Sequence, residues 1–495
     1  MSLLRSALQP ATRPRLWLPL AGALGVLIGV LAARQPVAAV GLVALTMGLV
    51  LLTLGRRAIS VFHVSLLGLL AGYAFLGKGF AYVGAPPLFI GELVLVLAML
   101  TIFIRGATAR FGVLHGLIVA FMVWCAFRTI PYVGTYGIDA LRDGTTWGYA
   151  VFAIAVSISV VPAHFARLAS GYRVLIPVFL AWVPIAAALT LAFDPLVPRT
   201  PGTDVPIVVF KAGDMSVHLA AIAAFLLLGL DRGIDRLPRP PQLLVWPMWI
   251  LNAALVAALN RAAFLALASV GVVVLFVRES GRWLMLVLVT VAMATLFAVV
   301  NPAVDLGLPR SLSVDQLAQN VLSLFGSEGG TVNEATKNWR YAWWNSIIDY
   351  TVNGQYAATG KGFGINLADA DGFQVLADGS LRAPHSVHFE ILARAGVPGL
   401  ALWILLQVTF GVTLLRAAFR ASRGARQWVP VLAWIFVYWL AALIDGSFDV
   451  YIGGPQGGIW FWSVMGLGIA AIRLSGDQPE EDPLDPAPDV AQGVV

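Results

Sequence analysis

Residues 384–400 read Pro-His-Ser-Val-His-Phe-Glu-Ile-Leu-Ala-Arg-Ala-Gly-Val-Pro-Gly-Leu and join the one long polar segment of the chain to an apolar run of membrane-spanning length. An imidazole at such a junction is a candidate proton acceptor, because its ordinary pKa of about 6.5 lets the neutral ring take a proton from an attacking group. His385 and His388 are three residues apart, so a helix through this stretch would set them on one face beside Phe389, Glu390 and Leu392. Gly396 and Gly399 follow where the backbone must turn back toward lipid.

Two arginines suit the same chemistry. Residues 246–278 carry few polar interruptions, and one helix of that length would be about 50 Å long against a hydrocarbon core of roughly 30 Å. The run must bend, and Asn260-Arg261 is the natural corner. An arginine in so short a turn either snorkels to lipid phosphates or faces a polar cavity and an anionic partner. In Asn338-Trp339-Arg340-Tyr341-Ala342-Trp343-Trp344 the guanidinium lies among rings that favour the headgroup level. Such a helix rests on the bilayer, or its Arg340 grips an anion on a substrate that lives at the interface. Gly360-Lys361-Gly362-Phe363-Gly364 lacks nucleotide-loop spacing and is expected to be a tight turn.

These groups need a scaffold, and composition defines it. The chain is 59% hydrophobic and 12% charged, which identifies an integral membrane protein. Its net charge of +6 comes from basic residues scattered singly between apolar runs, a topology signal that argues against nucleic acid as a partner. The single cysteine, Cys125, excludes a disulfide framework and a Cys-based metal site, and no further ligands stand at suitable spacing around His385-x-x-His388. Apolar runs fall at about 16–33, 36–54, 58–77, 87–104, 112–128, 144–163, 173–193, 214–230, 242–259, 262–277, 283–300, 397–415, 427–444 and 456–473. The expected fold is an all-α polytopic membrane protein with about 12–14 transmembrane helices and one large extracytoplasmic loop containing short helices. Its parts are an N-terminal bundle of about 11 spans over 1–300, the loop over 301–385, C-terminal helices over 386–473 and an acidic, proline-rich tail over 474–495, expected to be a disordered cytoplasmic end. The first run is read as a retained helix, since another span follows it at once. Counting Lys and Arg in the short loops puts Arg56/Arg57, Arg105/Arg110, Arg167/Arg173 and the 416–426 arginines on the cytoplasmic side. The large loop then lies outside the cytoplasm with Arg142, Lys211 and Arg261.

His385-Ser386, nine residues, then Gly396-Val397-Pro398-Gly399 resembles the His-(Asn/Ser/Gln)-x9-Gly-x-x-Gly motif of the bacterial O-antigen ligase and polysaccharide polymerase superfamily. Arg340-x-x-x-Trp344 and Gly360-x-Gly362-x-Gly364 are similar to the Arg-x-x-x-Trp and Gly-x-Gly-x-Gly elements of that family's periplasmic loop, and Asn260-Arg261 resembles its Ser-Arg at the outer end of a helix. The likeness is strongest over about 245–415. The chain departs from the pattern in its span count, since about 12 are usual, and in Asn260, where the family has Ser.

The resemblance implies an inverting, metal-independent and cofactor-free glycosyltransferase of the inner membrane, with its active site on the extracytoplasmic side. Its partners would be an undecaprenyl-pyrophosphate-linked glycan donor, a glycan or lipid acceptor and membrane lipids. Arg261 and Arg340 would hold the pyrophosphate and His385 would be the general base. The physics agrees: a departing diphosphate needs oriented, permanently charged donors, and a hydroxyl nucleophile needs a proton acceptor. Lys211 is a candidate third charge for the diphosphate. Arg142 and His388 complete the candidate substrate contacts, although Arg142 is expected to pair with Asp139 or Asp143, and His388 to pack. Lys78, Tyr82 and Glu92 are candidates for an acceptor groove. The motifs are common to ligases, toward which the reading leans, and polymerases. A lipid-linked glycan flippase would instead want cations along a path through the bilayer.

Overall fold

The computed structural model describes residues 57–85, 88–232, 241–276 and 332–477, with a few isolated positions besides. The expected spans at 16–33, 36–54 and 283–300, residues 301–331 of the loop and nearly all of the acidic tail lie outside the described residues. What is described is mostly helix with connecting turns and loops, and its one hairpin pairs Gly84–Ala85 with Leu88–Phe89.

The helices are α1 (Arg57–Leu76), α2 (Ile90–Gly106), α3 (Val113–Tyr136), α4 (Ile138–Gly148), α5 (Ala150–Ser159), α6 (Pro162–Leu191), α7 (Ala212–Leu227), α8 (Gln242–Leu259) and α9 (Arg261–Ala268). After the gap come α10 (Val332–Tyr350), α11 (Leu367–Asp371), α12 (Val387–Gly424), α13 (Val429–Phe448) and α14 (Pro455–Asp477). Among the described residues seven helices are long and apolar enough to cross a membrane, α1, α3, α6, α8, α12, α13 and α14. The chain is a polytopic α-helical membrane protein.

Two expected boundaries move. The run at 144–163 is not one span: α5 stops at Ser159, Val160 and Val161 are extended, and Pro162 restarts the helix at its first position. Proline is favoured there because its missing N–H would have had no partner. Helix α6 therefore starts at Pro162 and not at 173, and Arg173 falls inside it, buried, with Nη1 donating to the Asp231 carbonyl at 3.0 Å. Apolar periodicity alone hides such a break.

Helix α14 runs along α5 and α13 along α7, while α12 packs on α3 and α13. A β-carbon added to Gly466 of α14 would lie 2.6 Å from the Ala153 carbonyl oxygen, so the absence of a side chain sets how closely α14 meets α5. Trp403, Trp462, Phe121 and Phe461 interlock where α3, α12 and α14 converge.

One end of the bundle carries the polar segment, bolted down by buried charge. The Arg394 guanidinium on α12, fully buried, lies 3.0 Å from Asp143 and 3.2 Å from Glu390 and donates to the Ile365 carbonyl. Asp143 of α4 also takes Arg382 at 3.0 Å and the Gly364 N–H at 3.1 Å. The glycine-rich turn lies against the same helix, with Lys361 N donating to the Ala393 carbonyl at 2.7 Å and Gly362 N to that of Arg394 at 3.0 Å. Gly362 has φ +87°, and a β-carbon there would fall 2.1 Å from the Tyr132 ring. The turn clamps the segment to α3 and α12, in keeping with a structural role.

Candidate active site

Helix α12 starts at Val387, with Ser386 extended at its N-cap, so His385 stands outside the helix. The expected shared face of His385 and His388 is therefore not formed. His385 has φ +52°, a left-handed conformation that non-glycine residues seldom adopt. Its position is held from both sides, by Trp344 Nε1 donating to the Pro384 carbonyl at 2.8 Å and by the helix that begins two residues on. Trp339 stands edge-on to the imidazole, with centroids 6.2 Å apart.

His388 points into the bundle. Its Nδ1 accepts from Trp403 Nε1, on the same helix, at 3.0 Å, which leaves Nε2 to donate to Ser447 Oγ of α13 at 2.9 Å, so both nitrogens are used in packing. Farther along, α12 breaks at Gly396, whose φ of +69° lets Trp124 Nε1 reach the Ala395 carbonyl at 2.8 Å. Gly399 does not turn the chain. It is helical and lies close to Trp124, where a β-carbon would be 3.2 Å from Nε1.

The C-terminal end of α13 is where several of the candidate side chains meet. Arg340 Nη1, from α10, donates to the Phe448 carbonyl at 2.8 Å, one of the carbonyls at the negative end of that helix. The next residue, Asp449, lies 3.5 Å from His385 Nδ1 and 2.8 Å from Lys211 Nζ. With Nδ1 turned to the carboxylate, Nε2 is the nitrogen left to accept a proton. Burial pushes the Asp449 carboxyl up, but the nearby Lys211 charge, helped by the His385 imidazole 3.5 Å away, outweighs it and holds the group well below the ordinary carboxylate range. Burial works against the charge on Lys211 too, and Asp449, Asp214 and Asp445 more than reverse it. Asp449 is thus a fixed negative charge between imidazole and ammonium.

Arg261 comes to the same end of the bundle. Helix α8 stops at Leu259, Asn260 is extended, and its side chain accepts from Ala262 N at 2.9 Å, so Asn260 caps α9 and Arg261 is that helix's first residue. This is the expected corner, and Asn serves as well as Ser because both cap helix N-termini through a side-chain oxygen. Burial lowers the pKa of Arg340; Asp449 opposes this, and the charge of Arg261, a smaller influence than Asp449, adds to the lowering. Arg340 Nε is buried without a hydrogen-bond partner among the described residues. Two guanidiniums that repel each other beside an unused donor make a site suited to an anion.

Other expectations separate from this cluster. Lys211 is near it but already paired with Asp449, and Asp214 lies 3.8 Å away, so its charge serves the acids first. Arg142 pairs with Asp139 at 3.1 Å and Asp143 at 3.7 Å on α4, with no contact to His385, Arg340 or Lys211. Glu92 faces inward, accepting from Tyr149 Oη at 2.8 Å and the Phe89 N–H at 3.2 Å, while Lys78 lies 6.0 Å from the Tyr82 ring.

Sequence reasoning missed Asp449, Asp445 and Trp339. Asp445 is fully buried beside Gly213 and Asn260, and its two oxygens have no hydrogen-bond partner among the described residues. The signal was present in Asp445-Gly-Ser-Phe-Asp449, two acids closing an apolar span, where ionisable residues are costly and tend to have a function.

A family model described as O-Antigen ligase matches residues 243–404, about a third of the chain. The matched stretch runs from α8 into α12 and contains Arg261, Arg340 and His385, while Lys211 and Asp449 lie outside it. No curated protein matches the chain.

Proposed function

From the match of residues 243–404 to a family model described as O-Antigen ligase, we propose that the chain belongs to the O-antigen ligase superfamily and moves a glycan from an undecaprenyl-pyrophosphate-linked donor to an acceptor hydroxyl at the extracytoplasmic face of the inner membrane. The observation that carries the reading is the meeting of Arg340 and His385 on consecutive residues, Phe448 and Asp449, with Arg261 close enough for its charge to act on Arg340.

In this reading the diphosphate of the donor binds Arg261 and Arg340. As the bond from the anomeric carbon to the diphosphate oxygen breaks, that oxygen leaves with the electron pair, and the guanidiniums neutralise the charge. The acceptor oxygen attacks from the opposite side of the sugar, which inverts the configuration. His385 Nε2 takes the hydroxyl proton during the attack, and the fixed charge of Asp449 stabilises the resulting imidazolium and holds the ring in the required tautomer. Lys211 keeps Asp449 ionised and in place. Transfer to a lipid or protein anchor would make the protein a ligase, and transfer to a second lipid-linked glycan would make it a polymerase. The residues described serve both.

The test is transfer by purified protein given a lipid-pyrophosphate glycan and candidate acceptors in the presence of chelator. Full activity is expected under those conditions, and it should be lost in His385→Ala while the donor still binds. Transfer that needs an added divalent cation would contradict the assignment of charge neutralisation to Arg261 and Arg340.

A further inference from the structure

At the end of the bundle away from His385, where α2 and α14 finish and α6 begins, lies a cavity of about 610 Å³. Arg105 from the last turn of α2, Arg110 from the connection to α3 and Arg473 from α14 line it, with Asp477 the one acid among the lining residues. Asp477 lies 3.7 Å from Arg110, so the lining keeps an excess of positive charge. Arg473 is fixed in position, with Nη2 donating to the Ser157 and Val160 carbonyls at 3.3 and 3.2 Å.

Val160 also borders a second cavity, of about 450 Å³ and mainly apolar, walled by residues such as Val64 and Leu67 of α1, Leu175 of α6 and Leu467 of α14. His63 and His164 line its end nearest Arg105, with ring centroids 4.6 Å apart, and the charge of Arg105 reaches both. A hollow lined by three arginines therefore adjoins, across Val160, an apolar slot between transmembrane helices. A charge bias toward one face of the membrane accounts for arginines at the surface. It does not call for a hollow lined by three of them, nor for an apolar slot behind it.

We propose that this end of the protein holds a phospholipid with an anionic headgroup, its phosphate on Arg105, Arg110 and Arg473 and an acyl chain in the slot between α1 and α6. Basic pockets between membrane helices suit such headgroups, since the guanidiniums meet the phosphate while the chain covers apolar surface. A soluble anion would use only the first cavity and a neutral lipid chiefly the second, so the pairing of the two selects the lipid class. The site is separate from the His385 cluster and does not depend on the glycosyl-transfer reading.

The experiment uses the full chain in detergent, with phosphatidylglycerol, phosphatidylcholine and inorganic phosphate added separately, and reads thermal melting together with native mass spectrometry. Phosphatidylglycerol is expected to bind one per chain and raise the melting temperature, and the other two to do neither. Arg105→Gln with Arg110→Gln should weaken phosphatidylglycerol binding by roughly thirty-fold. Gly171→Phe tests the slot without touching the arginines: Gly171 lines it, and a β-carbon there meets nothing within 4 Å, so the ring should fill the space and exclude the chain. The two changes are independent, so if one variant misfolds the other carries the test. Equal effects of phosphatidylcholine, a full shift from inorganic phosphate alone, or unchanged binding in the folded variants would overturn the proposal. So would binding that appears only after the residues beyond Asp477 are removed, because the acidic tail would then be the occupant.

Discussion

His385 keeps a left-handed backbone at φ +52°, which costs a non-glycine residue on the order of 1–3 kcal/mol and persists only where the surroundings enforce it. Strain of this kind in a residue facing Asp449 fits a group placed for chemistry. His385→Gly is therefore expected to raise the melting temperature slightly while abolishing transfer, and a lower melting temperature would contradict the strain. His385→Ala should reduce turnover by about 10²–10⁴-fold with donor binding retained. Asp449→Asn separates orientation from folding: turnover should fall about a hundred-fold or more, with the donor dissociation constant unchanged. If donor binding falls in parallel with turnover, Asp449 acts on the anion site and not on the imidazole. At the same scale, Lys211 and Asp449 fix a sign. The depressed carboxyl contributes stability that is present above its unfolded pKa of about 3.9 and is lost only as pH falls through a still lower value. The raised ammonium contributes below about 10.4 and loses this only at higher pH. Lys211→Met is accordingly expected to lower the melting temperature at neutral pH, and by less as the pH falls and the acids left without their cation take up protons.

At the scale of elements, the site depends on how the polar segment is fastened to α3, α4 and α12. Arg394 carries much of that attachment, and replacing it with Met leaves Asp143 and Glu390 short of a buried partner, a loss of about 3–5 kcal/mol that unfolding measurements should register. Several of these elements were legible in the sequence. The Asn260-Arg261 corner followed from a run too long for one helix, and the glycine-rich turn from its lack of nucleotide spacing. The break between α5 and α6 was not legible, because hydropathy averages across Val160-Val161-Pro162 and sees only apolar residues. The face shared by His385 and His388 failed for a local reason: helix initiation at Ser386 set the two histidines in different backbone conformations. The two acids closing α13 were visible, but the contact with Lys211 that places Asp449 spans more than two hundred residues, and spacing along the chain carries no trace of that contact.

For the whole molecule, topology brings residues from α9, α10 and the approach to α12 to one end of the bundle, around the C-terminus of α13, and leaves an arginine-lined cavity at the other. Charge near the two ends, with an apolar interior between, fits a protein that works on a lipid-linked molecule at one surface better than one that passes it through. The most direct test is to measure donor binding and single-turnover transfer together in His385→Ala and Arg340→Ala, using the lipid-pyrophosphate glycan. The account predicts that His385→Ala binds donor like the wild type and transfers it about 10²–10⁴-fold more slowly, while Arg340→Ala weakens binding or slows transfer by about 10²–10³-fold. Normal transfer in either variant would contradict it.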